Sequence, residues 1–373
     1  MAQITVRPVS SEGDRQQFLE VPQWVYRDDP NWVPPLKASI AAQLSPQDNP
    51  FLSYGEFQGF LAFNDQGRAI GRIVAAVNQR LSEREGRRVG LFGYFECIEE
   101  FAAGQQLLEA ALSWLGDRQI EVVRGPINLS THNNCLFLVE GFDRPPMMMM
   151  PYNPPYYPQW LEEMGWLKAK DAYAYDFPME PLSDKFEKAY RIALKSGITF
   201  RPIRTKGEGF DEDVRSLYQL FTQAFANNWS STPRTEADFL EEAQQLKSLV
   251  DPDIFPIAED NGEMVGFFMG LPDYNIALKQ VNGTLNVWGL LKFLWYRRQI
   301  KQARMITLCA LPEYRRKMVP LALVYLTMKG GEKRGYQRAE LSWIWEDNHP
   351  SRRITEASGG VIAQTYRVYE KEL

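Results

Sequence analysis

The chain has 373 residues, enough for two domains of common size, and its 45% hydrophobic and 24% charged content is ordinary for a soluble globular protein. A net charge of −5 argues against general nucleic-acid binding. No apolar run approaches the roughly 18 residues a membrane span needs, and no signal peptide is visible at the polar start. Three scattered cysteines, Cys97, Cys135 and Cys309, fit neither a disulfide framework nor a structural zinc site, so no metal and a reducing cytoplasm are expected.

In chain order, Ile4 to Val9 alternates like a strand, and Ser10 or Ser11 can cap a helix near Asp14 to Tyr26. The proline-rich Asp29 to Leu36 must be an ordered loop. Phe57 to Phe63 and Ala69 to Val77 read as a hairpin, and Val89 to Ile98 as a third strand. Ala103 to Leu115 carries Leu107, Leu108, Ala111, Leu112 and Leu115 at helical spacing. Glu121 to Arg124 is a short strand, Pro158 to Met164 a helix, and Lys168 to Phe177 a strand. Residues 180 to 196 hold a linking helix.

The same order then returns. Strand 198–203, helices 211–226 and 239–249, hairpin 255–259 and 264–271, strand 305–311, helix 320–329, strand 339–345, helix 351–357 and strand 362–369 follow. Residues repeat with it. Ile4-Thr5-Val6-Arg7-Pro8-Val9 reappears as Ile198-Thr199-Phe200-Arg201-Pro202-Ile203, Gly67 and Gly71 as Gly262 and Gly266, Asn153 as Asn348, and Glu162 and Gly165 as Glu356 and Gly359. Such a long period is a whole domain copied once. The expected fold is α/β in two tandem domains, 1–179 and 197–373. Each is a mixed, mostly antiparallel twisted sheet flanked by helices, and the two are related by a pseudo-twofold.

Charge is uneven. Residues 292–338 hold twelve Lys or Arg against Glu313 and Glu332, so the remainder of the chain carries −15. This basic region is either a site for a discrete anionic ligand or a solvated face.

The order of elements, with Asp29-Pro30-Asn31-Trp32-Val33-Pro34-Pro35-Leu36, Pro151-Tyr152-Asn153-Pro154-Pro155-Tyr156-Tyr157 and Glu340-Leu341-Ser342-Trp343, resembles the GCN5-related N-acetyltransferase (GNAT) fold used in tandem, in a widespread bacterial family of such proteins. N-myristoyltransferases and Fem-type peptidyltransferases also use the fold in tandem. The resemblance implies acyl transfer from acetyl-CoA, a longer acyl-CoA or an acyl carrier protein to the amine of a small molecule or peptide. A homodimer is compatible with it. A non-catalytic scaffold that binds a small ligand or peptide, and Fem-like aminoacyl transfer, are the alternatives.

It also assigns residues. Leu308, Cys309, Ala310 and Leu311 on the central strand, then Arg315, Arg316, Lys317, Met318 and Val319 at the following helix start, occupy the place of the cofactor loop, where a helix N-terminus favours phosphate. Both signature glycines are absent, replaced by Met318 and Pro320. The first copy has Glu99 and Glu100 there and should repel an anion, so one site is expected, in the second half. Asn348 matches a second signature, but its tyrosine, the usual general acid, is Thr355 here; Tyr366 or Tyr325 are substitutes. Glu340, Glu346 and Asp347 are candidate proton acceptors. On the acceptor side the candidates are Trp32, Asn128, Ser130, His132, Asn134, Tyr152, Asn153 and Tyr156, most of them flanking an insertion that ends in Met147 to Met150. That methionine run is either an adaptable apolar wall or a strand buried on both faces. A second insertion, Val287 to Arg298, reads as a helix covering the sheet, a lid on an acyl group or a membrane-surface patch.

Overall fold

The repeat is visible in the order of the strands. A computed structural model describes residues 3–45, 47, 49–180, 182–225 and 228–373. The first half runs β1 (Thr5–Pro8), α1 (Glu12–Val25), α2 (Lys37–Gln43), β2 (Gly55–Phe63), β3 (Ala69–Asn78), α3 (Gln79–Glu85), β4 (Val89–Cys97), α4 (Phe101–Gly116), β5 (Val122–Gly125), β6 (Phe137–Glu140), α5 (Tyr156–Glu163) and β7 (Leu167–Pro178). After α6 (Asp184–Lys195) come β8 (Ile198–Pro202), α7 (Gly207–Phe225), α8 (Glu236–Leu246), β9 (Pro256–Asp260), β10 (Glu263–Pro272), α9 (Asn275–Val281), α10 (Val287–Tyr296), β11 (Gln302–Ala310), α11 (Val319–Arg334), β12 (Arg338–Trp345), α12 (His349–Ala357) and β13 (Val361–Glu372). The expected end of the second-half helix at Ala226, and Pro181 in the linker, lie outside the described residues.

The thirteen strands of the described residues join one sheet in the order β1-β2-β3-β4-β5-β13-β7-β12-β11-β10-β9-β8, with β6 beside β13. Exchanging β1 for β8, β2 for β9, β3 for β10, β4 for β11, β5 for β12 and β13 for β7 reverses the order onto itself. The halves have therefore traded their last strands. β7 pairs with β12 of the second half, β13 pairs with β5 of the first, and the two pair with each other at the centre. Residues 180–196 lie between the two repeats, and the sheet runs on from one repeat to the other. Only β4–β5 and β11–β12 are parallel among the pairs of the main path, which makes the sheet mixed and mostly antiparallel.

Local chemistry explains the elements. Ser11 caps α1: its Oγ accepts the Asp14 N–H at 3.1 Å while Asp14 Oδ2 accepts the Ser11 N–H at 3.0 Å. The stripe foreseen in α4 turns Leu107, Leu108, Ala111 and Leu115 onto the sheet, all buried. Each such leucine contributes roughly 1.5–3 kcal/mol. α1 covers one face of the first half, with Phe18 and Val21 in its core, and α4 and α5 cover the other. The second half repeats this with α7 on one face and α11 on the other.

Two of the expected segments take definite forms. Residues 147–150 form a turn, so the strand reading of the methionine run is overturned; prolines at 145, 146 and 151 deny it a ladder. Residues 287–296 form a helix, but one that lies largely off the sheet.

Candidate functional site

Both parallel pairs come apart. β4 meets β5 only over Val89–Leu91 and β11 meets β12 only over Gln302–Met305, so beyond those points the strands splay. From residue 306 on, β11 keeps a strand partner on its β10 side alone. Its other edge, with Ile306, Thr307 and Leu308, lines a cavity of about 1290 Å³ that takes walls from both halves.

What fills each splay differs. Helices α5 and α12 occupy equivalent places, and each turns one face inward at helical spacing. In α5 this face is Tyr157, Trp160 and Leu161, all buried. In α12 it is Ser351, Ile354 and Thr355, with Ser358 at its C-terminal cap, all of which line the cavity. Tyr157 plugs the first-half splay. Its hydroxyl accepts the Cys97 N–H at 2.7 Å and lies 3.0 Å from Glu96 Oε2, while the Tyr156 hydroxyl donates to Cys97 O at 2.9 Å. Trp160 packs so closely on α4 that a Cβ at Gly104 would lie 2.7 Å from its ring. The pairings Gly71↔Cys97 and Gly266↔Ala310 make Ala310 the counterpart of Cys97. No aromatic of α12 takes its place, so the outer end of the first splay is plugged and that of the second is not, although Tyr94, Phe95 and Glu96 of β4 line the cavity as Ile306, Thr307 and Leu308 of β11 do.

The loop expected to bind phosphate connects β11 to α11 at the outer end of the open splay, beyond the cavity wall. Arg315 and Arg316 are exposed and make no ion pair among the described residues, whereas Lys317 is held by Asp260 at 2.8 Å. Met318, at a signature glycine position, adopts φ +63°, the left-handed conformation a glycine would supply. The turn shape thus survives the loss of the glycine, at a strain cost of about 1 kcal/mol. No side chain caps α11, so its first N–H groups are left for another acceptor. Leu311 N–H is spent on Val265 O, and Cys309 is buried with its thiol pushed up to about 12 by desolvation.

The three candidate carboxylates separate clearly. Glu346 pairs with Lys168 at 2.7 Å and Asp347 with Lys170 at 2.5 Å, and neither lines the cavity. Glu340 is buried and reaches the cavity through a neighbour: Ser342 Oγ donates to Glu340 Oε1 at 2.6 Å, and Ser342 lines the wall. Arg304 holds that serine, with Nε 2.9 Å from Ser342 Oγ and Nη2 3.0 Å from Ser342 O, while Nη1 donates to Met148 O at 2.9 Å. Burial pushes the Glu340 carboxyl above its ordinary range. Tyr366 is fully buried near Glu340 and Arg304, and its hydroxyl finds no hydrogen-bond partner among the described residues and does not line the cavity. Tyr325 stacks on Tyr190 of α6 at 5.4 Å, outside the cavity wall.

Of the acceptor-side residues, Trp32, Asn128, Ser130, His132, Asn134, Tyr152 and Asn153 line the cavity and Tyr156 does not. Several are committed elsewhere. Asn153 bonds the Leu138 N–H at 2.6 Å and Leu138 O at 3.1 Å, Asn128 takes the Tyr94 N–H at 2.7 Å, and Tyr152 donates to Asp29 at 2.8 Å. Trp32 stacks on Tyr26 with centroids 4.9 Å apart. Ser130 Oγ accepts the His132 N–H at 3.2 Å, and Asn134 O accepts the Asn128 N–H at 3.0 Å. His132 Nε2 sits 2.8 Å from Thr232 O, across the two halves, and burial lowers its pKa to about 4. Asn348 caps α12 through the Ser351 N–H at 3.3 Å and also lines the cavity.

Glu96 escaped the sequence reading. It lines the cavity, half-buried with its open side toward the interior, and receives the Tyr26 hydroxyl at 2.8 Å and that of Tyr157. Desolvation raises its carboxyl from 4.5 to about 7, against the pull of Arg72. The folded state then holds a proton that the unfolded chain has released, so this group's stabilisation is full below about 4.5 and is lost as pH rises to about 7. Melting temperatures measured across that window should fall with pH in the wild type and stay flatter in Glu96→Gln. Parallel curves would mean that Glu96 ionises normally.

Comparison with known proteins agrees with this architecture. A profile of the acetyltransferase (GNAT) family matches residues 214–359. The "Bacterial ceramide synthase" of Caulobacter vibrioides (strain NA1000 / CB15N) is 33% identical over 380 residues, covering 100% of this chain and 98% of that protein. "Protein YghO" of Escherichia coli (strain K12) is 31% identical, covering 99% and 95%. Among solved structures, a tandem GNAT protein from the clavulanic acid biosynthesis pathway superposes with a TM-score of 0.58 at 12% identity, over 99% of this chain and 98% of the other. A GCN5-related N-acetyltransferase from Sphaerobacter thermophilus gives 0.53 at 15%, over 99% and 95%. At such identities the structures share the fold alone.

Proposed function

Since the chain belongs to the acetyltransferase (GNAT) family, in its tandem form, we propose that it is an N-acyltransferase that moves a fatty acyl group from acyl-CoA, bound by the second half, to the amine of a long-chain amino alcohol in the shared cavity. The observation that carries this reading is the asymmetry of the helices at the two splays: Tyr157 and Trp160 pack into one and do not line the cavity, while Ser351, Ile354 and Thr355 line it at the other. The full-length relative called a ceramide synthase favours the acceptor class, because a ceramide is the amide of a fatty acid and a long-chain amino alcohol. The wall suits such chains, with Met148, Met149, Met150, Phe221, Phe225 and Trp343 all lining it.

The coenzyme supplies an acyl group already activated as a thioester. Arg315, Arg316 and the uncapped start of α11 would bind its phosphates, and the unpaired edge of β11 offers backbone donors to the acyl oxygen. Ser342 accepts a hydrogen bond from Arg304 and donates its own proton to Glu340, which leaves a lone pair to receive an amine N–H. As the amine nitrogen bonds to the acyl carbon and the C–S bond breaks to release coenzyme A as its thiolate, the amine proton would pass by way of Ser342 to Glu340.

Thermal shift with acyl-CoAs from acetyl to palmitoyl, against free CoA, tests the donor. Ligand at a hundred times Kd adds about 2.7 kcal/mol of stability, so the shift should grow with chain length. Arg315→Glu with Arg316→Glu should remove it, and Gln105→Glu at the matching helix of the first half should not. No shift with any ligand, or equal loss from both variants, overturns the reading and favours a binding scaffold.

A further inference from the structure

Helix α10 is apolar on the outside. Val287, Trp288 and Trp295 are 75%, 76% and 64% exposed, and Gly289 is its one buried residue. Seven of the seventeen exposed large hydrophobic side chains among the described residues fall between Leu285 and Trp295, a density that scattered surface residues do not reach. Val287, Trp288, Leu291, Leu294 and Trp295 follow the helical period and share one face. The inner face is already used: Phe293 stacks on Tyr274 at 5.7 Å, and Gly289 packs against the end of α9.

Charge identifies the partner. Lys292 is exposed on the helix next to this face, Arg297, Arg298 and Lys301 are exposed in the segment that follows it, and none of the four makes an ion pair among the described residues. No acidic residue occurs between positions 274 and 312, in a chain whose net charge is −5. Tryptophans on an apolar face with free cations next to it match the interface of an anionic bilayer, which takes up both kinds of side chain. No helix among the described residues is long and apolar enough to cross a membrane, so the contact is superficial.

The helix does not itself line the cavity, but it packs on α9, which does. Asn275 and Leu278 of α9 line the cavity, and the Lys37 N–H donates to Gly283 O at 3.1 Å, tying the α9–α10 connection to the loop whose Pro34, Pro35 and Leu36 form the adjacent wall. We propose that α10 docks on the surface of an anionic lipid bilayer and sets the cavity mouth against it, so that a long-chain amine enters from the membrane. The entry of substrate rests on the function proposed above; the docking does not.

Co-sedimentation of the full chain with phosphatidylcholine vesicles, with and without 30% phosphatidylglycerol, tests the docking. Strong binding to the anionic vesicles, weakened by salt, is expected. Trp288→Glu with Trp295→Glu should reduce the bound fraction at least tenfold without lowering the melting temperature, since both side chains are on the surface. Wild-type protein that stays in the supernatant with both vesicles overturns the proposal. So does wild type that is dimeric where the variant is monomeric, with no vesicle binding, because the face then belongs to a second copy. In turnover, the same variant should lose acylation of a vesicle-borne amine and keep that of a short, water-soluble one. Vesicle binding without acylation of either amine would sink the enzymatic reading and leave the docking standing.

Discussion

Ser351→Tyr combined with Ile354→Trp is expected to weaken acyl-CoA binding by at least roughly a hundredfold, about 2.7 kcal/mol, while the fold survives. The variant writes the first half's plug into the second. In the first half the Tyr157 hydroxyl takes the Cys97 N–H, and Trp160 fills the space over Gly104. A tyrosine at 351 would approach Ala310, the counterpart of Cys97, from the same helix face. Both new side chains enter the cavity rather than a packed core, so the usual overpacking cost of about 1–3 kcal/mol should be largely avoided. Calorimetric titration with palmitoyl-CoA, beside a melting curve, gives the answer. Unchanged affinity in a folded variant would put the donor somewhere other than the β11–β12 splay. The reverse pair, Tyr157→Ser with Trp160→Ile, should create no second site, because Glu99 and Glu100 stand at the entrance, and should cost about 3–5 kcal/mol of stability from the emptied core.

That contrast was partly legible in the sequence. Asn153 to Asn348 is a step of 195, while Glu162 to Glu356 is 194, so one residue is lost between these anchors. Counted back from the later anchor, Tyr157 falls on Ser351 and Trp160 on Ile354. A search for the missing tyrosine at 355 alone does not find this, because the plug acts from the other copy. The hairpins, the repeat and α4 were readable because they rest on local periodicity and turn chemistry. The exchange of β7 and β13 was not. Both strands alternate alike, and the choice of partner is a long-range matter that no local pattern records. The exchange also explains Glu346 and Asp347. Their lysine partners, Lys168 and Lys170, lie at the end of the first half and reach β12 only because β7 crosses over. Glu96 stayed hidden for a similar reason: its environment is assembled from Tyr26, Arg72 and Tyr157, which are far apart in the chain.

Glu340→Gln should lower kcat by about two to four orders of magnitude, the usual worth of a positioned base, with acyl-CoA affinity unchanged. Glutamine keeps an oxygen for the Ser342 hydroxyl, so the bond at 2.6 Å and the Arg304 contacts can persist while the capacity to take a proton is gone. The pH profile separates this role from a structural one. Burial raises the Glu340 carboxyl, so the base is charged only at a pH above the ordinary carboxylate range. Activity of the wild type should therefore rise with pH along a limb displaced upward from that range, and the limb should vanish in Glu340→Gln and Ser342→Ala. Glu346→Gln and Asp347→Asn, whose carboxylates sit in exposed ion pairs worth little, should stay within about twofold of wild type. A Glu340→Gln enzyme that keeps the wild-type rate and the wild-type limb would remove this carboxylate from the chemistry. Glu96 would then be the next carboxylate to test, because it too lines the cavity and its raised pKa lies near neutrality.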